Sequence, residues 1–483
     1  MRKMLLKQLP PPSDEVSSNA SESIVVTGSR IRRPNIESNL PVTTISGEEF
    51  FQQGQNNIGD TLNDLPQLRS TYAQQNPGAS IGVVGLSLLD LRGLGTSRTL
   101  VLVNGRRHVA SDILANASSP DVNTIPNDLI ERVDVVTGGN SAVYGSDAIA
   151  GVVNFILRRD FEGLQVRGTA AISEEGFGAN QYVSGLAGTN FAGGRGNVTF
   201  HAEYANQERI YGSDIPAFRR VDGFATVDVD SAGLPNASDG FPDATFFRDI
   251  RSSTTHRFGL VAIPQTQGGT RPCGSGTLSN NGGPNTAGTA FHCNYIFTSE
   301  GRLEAQTGTR FGSGPAGTIV GGNGQTGREG TLLSILPSMQ RINTNFLGRF
   351  EVSEALELFA EAKWVKVNTV GNQLGPTFLN NSTASLGNDV RLAPRLDNPY
   401  LNAADRSTLA AALLAAPCPT TVGTALGSVT CPTTSTSAAL AARAAAIADG
   451  SYRLLFARTM TDSPDRDERF ERTTFRAVAG VRG

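Results

Sequence analysis

The chain has 483 residues, a formal net charge of −3 and a pI near 5.9, which gives no electrostatic case for binding nucleic acid. It holds 54 glycines but only 4 methionines, 4 histidines and 1 tryptophan, a usage that favours a β protein with many turns over a helical one. No apolar run reaches the roughly 18 residues of a transmembrane helix, whereas the alternating strands of a membrane β-barrel would leave the mean hydropathy unremarkable.

The first part of the chain is polar and proline-rich. Residues 1–21 contain Pro10–Pro12 and a run of Ser, Asp, Glu and Asn, which predicts a disordered tail. The apolar stretch Met4–Leu6 is shorter than the roughly 7 to 15 residues of a secretory h-region, so no export signal is visible. Glu22–Gly28 then has a β-favouring core closed by glycine, typical of a first strand or of a segment that binds a partner by strand addition.

The region up to Asp160 alternates short strands with a helix and glycine-rich turns. Asn104-Gly105 is the strongest two-residue hairpin signal in the chain. The predicted strands are Pro41–Ser46, Leu88–Gly93, Thr99–Val103, Arg132–Thr137 and Gly151–Leu157, and the predicted helix is Ile58–Leu65, ended by Pro66. The last two strands flank Gly138, Gly139 and Gly145, which predicts a strand, a tight turn and a strand.

After Asp160 the pattern changes to longer strands with strict alternation. In Asn197–Asn206, apolar positions such as Phe200 alternate with polar ones such as His201, so one face fits lipid and the other a wet lumen. The same pattern predicts strands at Leu164–Ser173, Gln181–Phe191, Asn345–Val352, Leu356–Lys366, Tyr452–Arg458 and Thr473–Arg482. Tyr182, Tyr204 and Trp364 fit aromatic residues at a membrane interface, or the core of a soluble sandwich.

Two long inserts, about residues 210–339 and 370–451, separate these strands. Connections of this length are rare in compact soluble domains and usual in the extracellular loops of outer-membrane barrels. Leu409–Ala416 and Ala438–Asp449 predict small helices that decorate the second insert. The cysteines form two local pairs inside these inserts, and the simplest interpretation is two disulfides in an oxidising compartment, with candidates Cys273, Cys293, Cys418 and Cys431.

The motifs around Ile130–Asp160 resemble the end of the plug domain of TonB-dependent outer-membrane receptors, and the runs "LRG" and "LVLVNGR" match the same family. The residues that carry the match are Arg92, Gly93, Asn104, Gly105, Arg106, Glu131, Arg132, Gly138, Tyr144, Gly145, Gly151 and Asn154. The resemblance implies an α+β plug domain at residues 29–160. An incomplete antiparallel transmembrane β-barrel with long extracellular loops would follow at residues 161–483.

The resemblance also implies sites and partners. A segment that binds the periplasmic energy-coupling protein TonB would be Glu22, Ser23, Ile24, Val25, Val26, Thr27 and Gly28. Outer plug loops would contact the ligand, with candidates Gln74, Gln75, Asn76, Ser111, Asp112 and Asn116. We expect a monomer in outer-membrane lipid of a Gram-negative bacterium that transports a scarce small ligand of siderophore, cobalamin or oligosaccharide type, without covalent chemistry.

A size estimate concerns the barrel. A plug of about 135 residues is about 36 Å across, whereas about seven tilted strands close to a ring only about 14 Å wide. About 22 strands would be needed to enclose it. We therefore expect the chain to be the N-terminal fragment of a longer receptor whose natural start lies upstream of Met1.

Other functions have less support in the sequence. A passive porin-like or adhesin-like barrel is the alternative, although a plug argues against an open channel. No G-x-S-x-G elbow or acid–nucleophile context indicates an enzyme, and no residue pattern indicates a cofactor. His108, His201, His256 and His292 are too scattered to predict a metal site. The arginines Arg92, Arg98, Arg106, Arg107 and Arg132 fit an anionic ligand or, in the favoured interpretation, acids on a barrel wall.

Overall fold

The computed structural model describes residues 42–48, 57–73, 82–111, 119–138, 140–226, 238, 242, 244–263, 293–311, 318–326, 334–372, 377–380, 393–416, 437–462 and 466–483. Among these residues, none of the helices has both the length and the apolar character needed to cross a membrane.

The first unit is a small sheet covered by short helices, which we call the plug. Its strands are β1 (Val42–Ser46), β2 (Thr99–Val103), β3 (Arg106–Arg107), β4 (Ile130–Thr137) and β5 (Gly151–Leu157), in the order β1-β4-β5-β2-β3. β2 and β5 are parallel and the other pairs are antiparallel. The helices are α1 (Ile58–Asn63) and α2 (Ser141–Tyr144), with 3-10 turns at Thr96–Arg98, Val122–Thr124, Asn127–Leu129 and Ser146–Ala148.

Both faces of the plug sheet are buried, which explains why β2 is a continuous apolar run in the sequence. Val101 and Val103 of β2 lie in the main core with Ile58 and Leu62 of α1. Leu100 and Leu102 point to the other face and pack in a second cluster. The predicted helix is confirmed, although it ends at Asn63, two residues before the predicted end.

In the plug, the predicted hairpin turn is present but one predicted strand is not. Asn104 and Gly105 have φ values of 51° and 75° and join β2 to β3 directly, so the predicted hairpin is confirmed. Leu88–Gly93 is not a strand: its contacts are single bridges from Leu88 to Tyr72 and from Leu91 to Leu68. Arg92 and Gly93 both have positive φ, which ends the extended backbone there.

The second unit is a curved antiparallel sheet against one side of the plug, which we call the wall. Its strands are β6 (Gly163–Ala171), β7 (Asn180–Phe191), β8 (Gly196–Gln207), β18 (Ser338–Ser353), β19 (Leu356–Gly371) and β22 (Glu468–Arg482). The order is β22-β19-β18-β8-β7-β6. Six of the seven predicted long strands lie in this sheet. The seventh, Tyr452–Arg458, is not a wall strand.

The described parts of the two inserts contain regular strands and helices, in contrast to the irregular connections that were expected. β9 (Ile210–Tyr211) pairs with β17 (Ser334–Leu336) next to the wall. One four-stranded sheet contains β10 (Val221–Thr226), β11 (Ala244–Arg251), β15 (Thr309–Phe311) and β16 (Thr318–Val320). A five-stranded sheet contains β12 (Leu260–Ile263), β13 (Cys293–Phe297), β14 (Leu303–Ala305), β20 (Thr377–Asn380) and β21 (Phe456–Thr459). The helices α3 (Ala403–Ala415) and α4 (Ser437–Asp449) complete the inserts.

Both inserts contribute to one folded domain. Leu260 of the first insert pairs with Ala457, which lies beyond the second. Val261 and Cys293 share a core with Leu409 and Leu413 of α3 and with Ile447 of α4. The predicted helices are therefore confirmed, but they bury apolar side chains against strands of the other insert and are not loop decoration.

Candidate functional site

The connection between β4 and β5 is longer than the tight turn that was predicted. It contains α2 and a 3-10 turn, which cover one face of the plug sheet. Gly138, Gly145 and Gly151 have positive φ, as their position beside the strands predicted. At Gly151 a Cβ atom would lie 2.3 Å from the carbonyl oxygen of Val136, so close strand pairing requires glycine there.

Two asparagines of the family motif hold the β2–β3 hairpin to the end of β5. The Asn104 side-chain oxygen accepts the backbone N–H of Leu157 at 2.9 Å, and the Asn154 oxygen accepts that of Gly105 at 3.0 Å. The Asn104 amide also donates to Glu361 on the wall at 3.0 Å. Asn104 thus satisfies the hairpin and ties the plug to the wall with one side chain.

Arginines around Glu361 join the plug to the wall, toward the end of the wall at which short turns connect its strands. Arg106 of the plug lies 3.3 Å and Arg476 of the wall 3.2 Å from the carboxylate of Glu361. The guanidinium groups of Arg106 and Arg482 lie 4.4 Å and 4.3 Å from the ring centroid of Phe359. The favoured interpretation, that these arginines are partners for acids on a barrel wall, holds for Arg106, whereas Arg107 and Arg132 pair with the plug acids Asp147 and Glu131.

A buried polar network lies farther along the wall. The hydroxyl of Tyr182 is 3.1 Å from the carboxylates of both Asp128 and Glu203, and Ser184 also donates to Asp128. Arg341 donates to Glu203 at 2.8 Å, and both side chains are fully buried. Arg167 of β6 reaches Asp128 at 3.5 Å. The buried charges of the plug and the wall are therefore compensated by one another in the interior.

A second set of contacts joins the 3-10 turn Val122–Thr124 to the wall. The Asn343 amide donates to the carbonyl oxygen of Thr124 at 3.2 Å. His108 Nε2 lies 2.7 Å from the Thr124 hydroxyl. Burial lowers the pKa of His108 well below its usual value, and the positive charges of Lys363 and Arg476 lower it further, so the ring is neutral. Burial raises the pKa of Asp121, whose carboxylate accepts the backbone N–H groups of Ser87 and Asn123.

The prediction that the polar face of these strands lines a wet lumen is wrong, because that face contacts the plug. The polar residues Asn197, Thr199, His201 and Glu203 of β8 are each at most 4% exposed because this face lies against the plug. Tyr182 also faces the plug and is not an interface aromatic. The outer face keeps its exposed apolar residues, including Phe200, Tyr204 and Trp364.

The strand register turns the outer face into rows. Phe200, Phe346, Ala362 and Ala477 lie side by side across four strands. The next two outward rows toward the inserts add Trp364 with Phe475, and then Tyr204 with Ile342. The next row toward the inserts is polar in the strands that reach it and contains Gln181, Asn206, Gln340, Asn368 and Glu471. An apolar band with a polar edge is the pattern of a lipid-facing barrel surface.

The remaining predicted site residues have ordinary structural roles in the plug. Arg92 is exposed, and Glu131 and Arg132 form an ion pair with an N–O distance of 2.9 Å. Tyr144 packs against the second cluster, and its carbonyl oxygen accepts from Arg107 at 2.7 Å. Ser111 donates to the carbonyl oxygen of Ser119 at 3.0 Å, which closes the base of the loop between them.

Several predicted residues lie outside the described residues. These are Glu22–Gly28, Gln74, Gln75, Asn76, Asp112, Asn116, Gly139, Cys273, Cys418 and Cys431. Cys293 is described and is disulfide-bonded. In the described part of the chain, no three His, Cys, Asp or Glu side chains come together as metal ligands.

The sequence analysis missed the buried network of Asp128, Tyr182, Glu203 and Arg341 as a unit. Arg341 lies before the predicted start of its strand, at Asn345, whereas β18 begins at Ser338. The alternation of Arg341, Asn343 and Asn345 with apolar or outward residues was the signal that would have extended the strand.

A family model for the TonB-dependent receptor plug domain matches residues 34–152. The chain is also similar to solved structures. One is a mutant ferric enterobactin receptor, PfeA, from Pseudomonas aeruginosa in complex with enterobactin, at 15% identity and a TM-score of 0.34, covering 70% of this chain and 42% of that one. Another is the siderophore receptor PirA from Pseudomonas aeruginosa, at 14% identity and a TM-score of 0.27, covering 69% of this chain and 51% of that one.

The ferric yersiniabactin uptake receptor FyuA from Yersinia pestis is similar at 12% identity and a TM-score of 0.30, with 69% of this chain and 42% of that chain covered. The chain thus spans between about two fifths and one half of the length of these receptors. At such TM-scores the likeness carries nothing further. Residues 34–152 therefore match a TonB-dependent receptor plug domain, and a two-faced antiparallel sheet follows this domain in the chain.

Proposed function

We propose that the protein is an outer-membrane transport receptor in which the plug blocks the inner side of the barrel until TonB pulls on it. The observation that carries this proposal is the extent of contact between plug and wall. Asn104, Thr124 and Asp128 of the plug bond Glu361, Asn343 and Ser184 of the wall, of which Asn343 and Ser184 are buried and Glu361 is half-buried. A ligand can pass along that face only if these contacts are broken, which requires an energy input.

The apolar outer band supports membrane insertion, because exposed Phe200, Phe346 and Phe475 would be costly in water and favourable in lipid. Outer-membrane localisation follows from the same band within this proposal. The family consists of transport receptors, and we propose binding and conformational change without covalent chemistry.

The TonB contact is proposed at Glu22–Gly28, upstream of β1. β1 is the edge strand of the plug sheet and pairs only with β4 among the described strands. Tension on the chain before Val42 would therefore act first on one ladder of hydrogen bonds. Strand addition by Glu22–Gly28 would give TonB a backbone grip with little demand on side chains.

Ligand contact is proposed at the plug loops 74–85 and 109–120, with Gln74, Gln75, Asn76, Ser111, Asp112 and Asn116 as candidate contacts. Siderophores, cobalamin and oligosaccharides all remain candidate ligands. The solved receptors named above are described as receptors for ferric enterobactin, a siderophore and ferric yersiniabactin, and the test includes all three classes of candidate ligand.

The test measures uptake of a radiolabelled ferric siderophore, cobalamin and a maltooligosaccharide by cells that express the protein. We expect one of them to accumulate, and accumulation to stop in a host without TonB and on deletion of residues 22–28. A deletion of equal length within the tail, residues 8–14, is the matched control and should leave uptake unchanged. Uptake that persists without TonB would instead favour the passive porin-like function.

A further inference from the structure

The four ends of the two inserts meet at one place on the wall. Arg209 follows β8 and Ser334 begins β17, so they bracket the first insert. Asn372 follows β19 and Asp467 precedes β22, so they bracket the second. We call these four residues the root cluster.

The bonds of the root cluster centre on one buried hydroxyl. Ser334 Oγ donates to Asn372 Oδ1 at 3.0 Å and accepts from Asn372 N at 3.1 Å and from Arg209 Nε at 2.7 Å. Ser334 N also donates to Asn372 Oδ1 at 2.8 Å. Arg209 Nη2 donates to Asp467 Oδ1 at 2.7 Å, and its guanidinium lies 4.5 Å from the ring centroid of Tyr211. Ser334 and Asn372 are fully buried, so these bonds are not exchanged for bonds to solvent.

A second set of bonds holds the plug directly beside the root cluster. Val84 O accepts from Thr369 Oγ1 at 3.1 Å and from Arg472 Nη1 at 3.0 Å, and Gly82 N donates to Glu468 Oε2 at 2.9 Å. We call Thr369, Glu468 and Arg472 the outer clamp. It lies at the insert end of the wall, opposite the short turns that join β7 to β8 and β18 to β19.

The plug backbone is shaped to fit this clamp. Gly82 and Gly85 have φ values of 90° and 78°. A Cβ atom at Gly85 would lie 2.3 Å from the Thr369 side chain, so the wall occupies that space. A Cβ at Gly371 would lie 2.8 Å from Val84 Cγ1 and 3.0 Å from Pro337 Cβ, so Val84 and Pro337 both pack against the residue next to Asn372.

The two sets are adjacent along the chain as well as in space. Thr369 lies three residues before Asn372, and Glu468 directly follows Asp467. Any displacement of the insert roots must therefore shift the side chains that hold Val84. Packed, fully bonded groups of this kind move as a unit and do not deform independently.

We propose that Arg209, Ser334 and Asn372 are positioning residues that join the roots of both inserts to plug residues 82–88 through the outer clamp. This inference rests on the proposed function for its purpose: ligand capture by the inserts would reach the plug along this route. The coupling itself is a property of the resting chain and requires neither ligand nor TonB.

The test is hydrogen exchange of the full chain in outer-membrane vesicles. Its readout is exchange at Leu86 and Leu88, whose N–H groups donate to Val83 O and Tyr72 O, relative to exchange at Val153 in the plug sheet. We expect Asn372→Ala to raise this ratio about tenfold, because the bonds that orient Ser334 are lost. The ratio removes any general loss of plug stability.

Asn368→Ala is the matched control. Asn368 lies near the end of β19, four residues before Asn372, but on the outer face, so the ratio should stay within about twofold of the unmutated value. Ser334→Ala should act like Asn372→Ala, whereas Ser334→Thr, which keeps the hydroxyl, should restore most of the protection. A purely space-filling role would predict no rescue by threonine beyond that of alanine.

A double-mutant cycle with Arg472→Gln tests whether the root cluster and the outer clamp affect exchange as a coupled unit or independently. If roots and clamp form one unit, the double variant Asn372→Ala with Arg472→Gln should exchange less than the product of the single effects, by about threefold or more. Multiplied effects, or an unchanged ratio in Asn372→Ala, would overturn the inference. Because no transport is measured, either result leaves the proposed transport function to its own test.

Discussion

Arg341 Nε donates to Glu203 Oε1 at 2.8 Å across neighbouring wall strands, and the plug covers both side chains completely. The pair lies next to Tyr182 and, through it, Asp128 of the plug. The charge on each wall residue is therefore compensated in the interior and not by solvent, which makes the pair sensitive to loss of either partner.

Arg341→Met should lower the free energy of unfolding by about 3–5 kcal/mol, because Glu203 would remain buried without its cation. Denaturant titration of the chain in detergent micelles measures this difference. The control is Glu471→Gln, which removes the partner of Lys366 on the outer face, where the pair is largely exposed. That change should cost less than about 1 kcal/mol. Equal effects would show that burial does not govern the wall pair.

Substitutions of Asn104 should distinguish the contribution of its positive-φ backbone to stability from that of its side-chain hydrogen bonds. Asn104→Gly keeps the positive φ but loses the bonds to Leu157 and Glu361, so we expect a cost of about 1–3 kcal/mol and faster exchange at the Leu157 amide. Asn104→Ala should cost about 1 kcal/mol more, because alanine is strained in that turn. If glycine at this position were neutral, the side-chain bonds would contribute nothing to plug docking.

Gly151→Ala should unfold or severely destabilise the plug, by more than about 3 kcal/mol, because its φ is 147° and the new Cβ would overlap the carbonyl oxygen of Val136. Gly105→Ala is the control, since φ is also positive there but no atom lies within 4 Å of the new Cβ. It should cost about 1–2 kcal/mol from backbone strain alone. Thermal unfolding of the two variants under the same conditions gives the comparison, and similar losses would contradict the steric account.

The outer rows of the wall predict depth-dependent effects of charge. Phe346→Arg, in the middle of the apolar band, should weaken folding into phosphatidylcholine vesicles by about 2–4 kcal/mol. Gln340→Arg, in the polar row of the same strand, should cost about 0–1 kcal/mol. Folding yields across a urea series measure both. A larger loss for Gln340→Arg than for Phe346→Arg would place the lipid elsewhere on the wall.

The insert domain should lose stability in mild acid. Burial and the neighbouring Arg257 charge lower the pKa of His256 to about 4, so the folded form keeps this ring neutral. Below its usual pKa of about 6.5 the unfolded chain binds a proton that the folded form does not, and stability falls as pH drops from about 6.5 to about 4. The backbone oxygen of His256 accepts from Thr459, which links the two inserts.

Protection factors at Ala262, whose N–H donates to Leu455 O, report on this domain. We expect them to fall by about tenfold between pH 7 and pH 5, which corresponds to about 1.4 kcal/mol. His256→Gln should be less stable at pH 7 but should show a flatter pH profile over the same range. A profile that is equally steep in the variant would assign the acid sensitivity to another group.

Local pattern determined much of the plug from the sequence alone. β-Branched runs and the Asn104-Gly105 turn fix their own conformations through backbone preferences, and the glycines beside β4 and β5 occur where positive φ is needed. The family motif could be recognised in the sequence because its residues stabilise one local structure. Asn104, Asn154 and Gly151 each make contacts within the plug sheet.

The alternation in the wall strands fixed which residues share a face, but not what that face meets. Tyr182 and Glu203 have the same pattern whether they line a lumen or a buried interface, and only the docked plug decided that the Tyr182 hydroxyl meets Asp128 as well as Glu203. The strand pairing within the inserts could not be predicted for the same reason. The pairing of Leu260 with Ala457 and the bonds from Ser334 to Asn372 join segments far apart in the chain, so no local sequence signal specifies them and only tertiary packing brings them together.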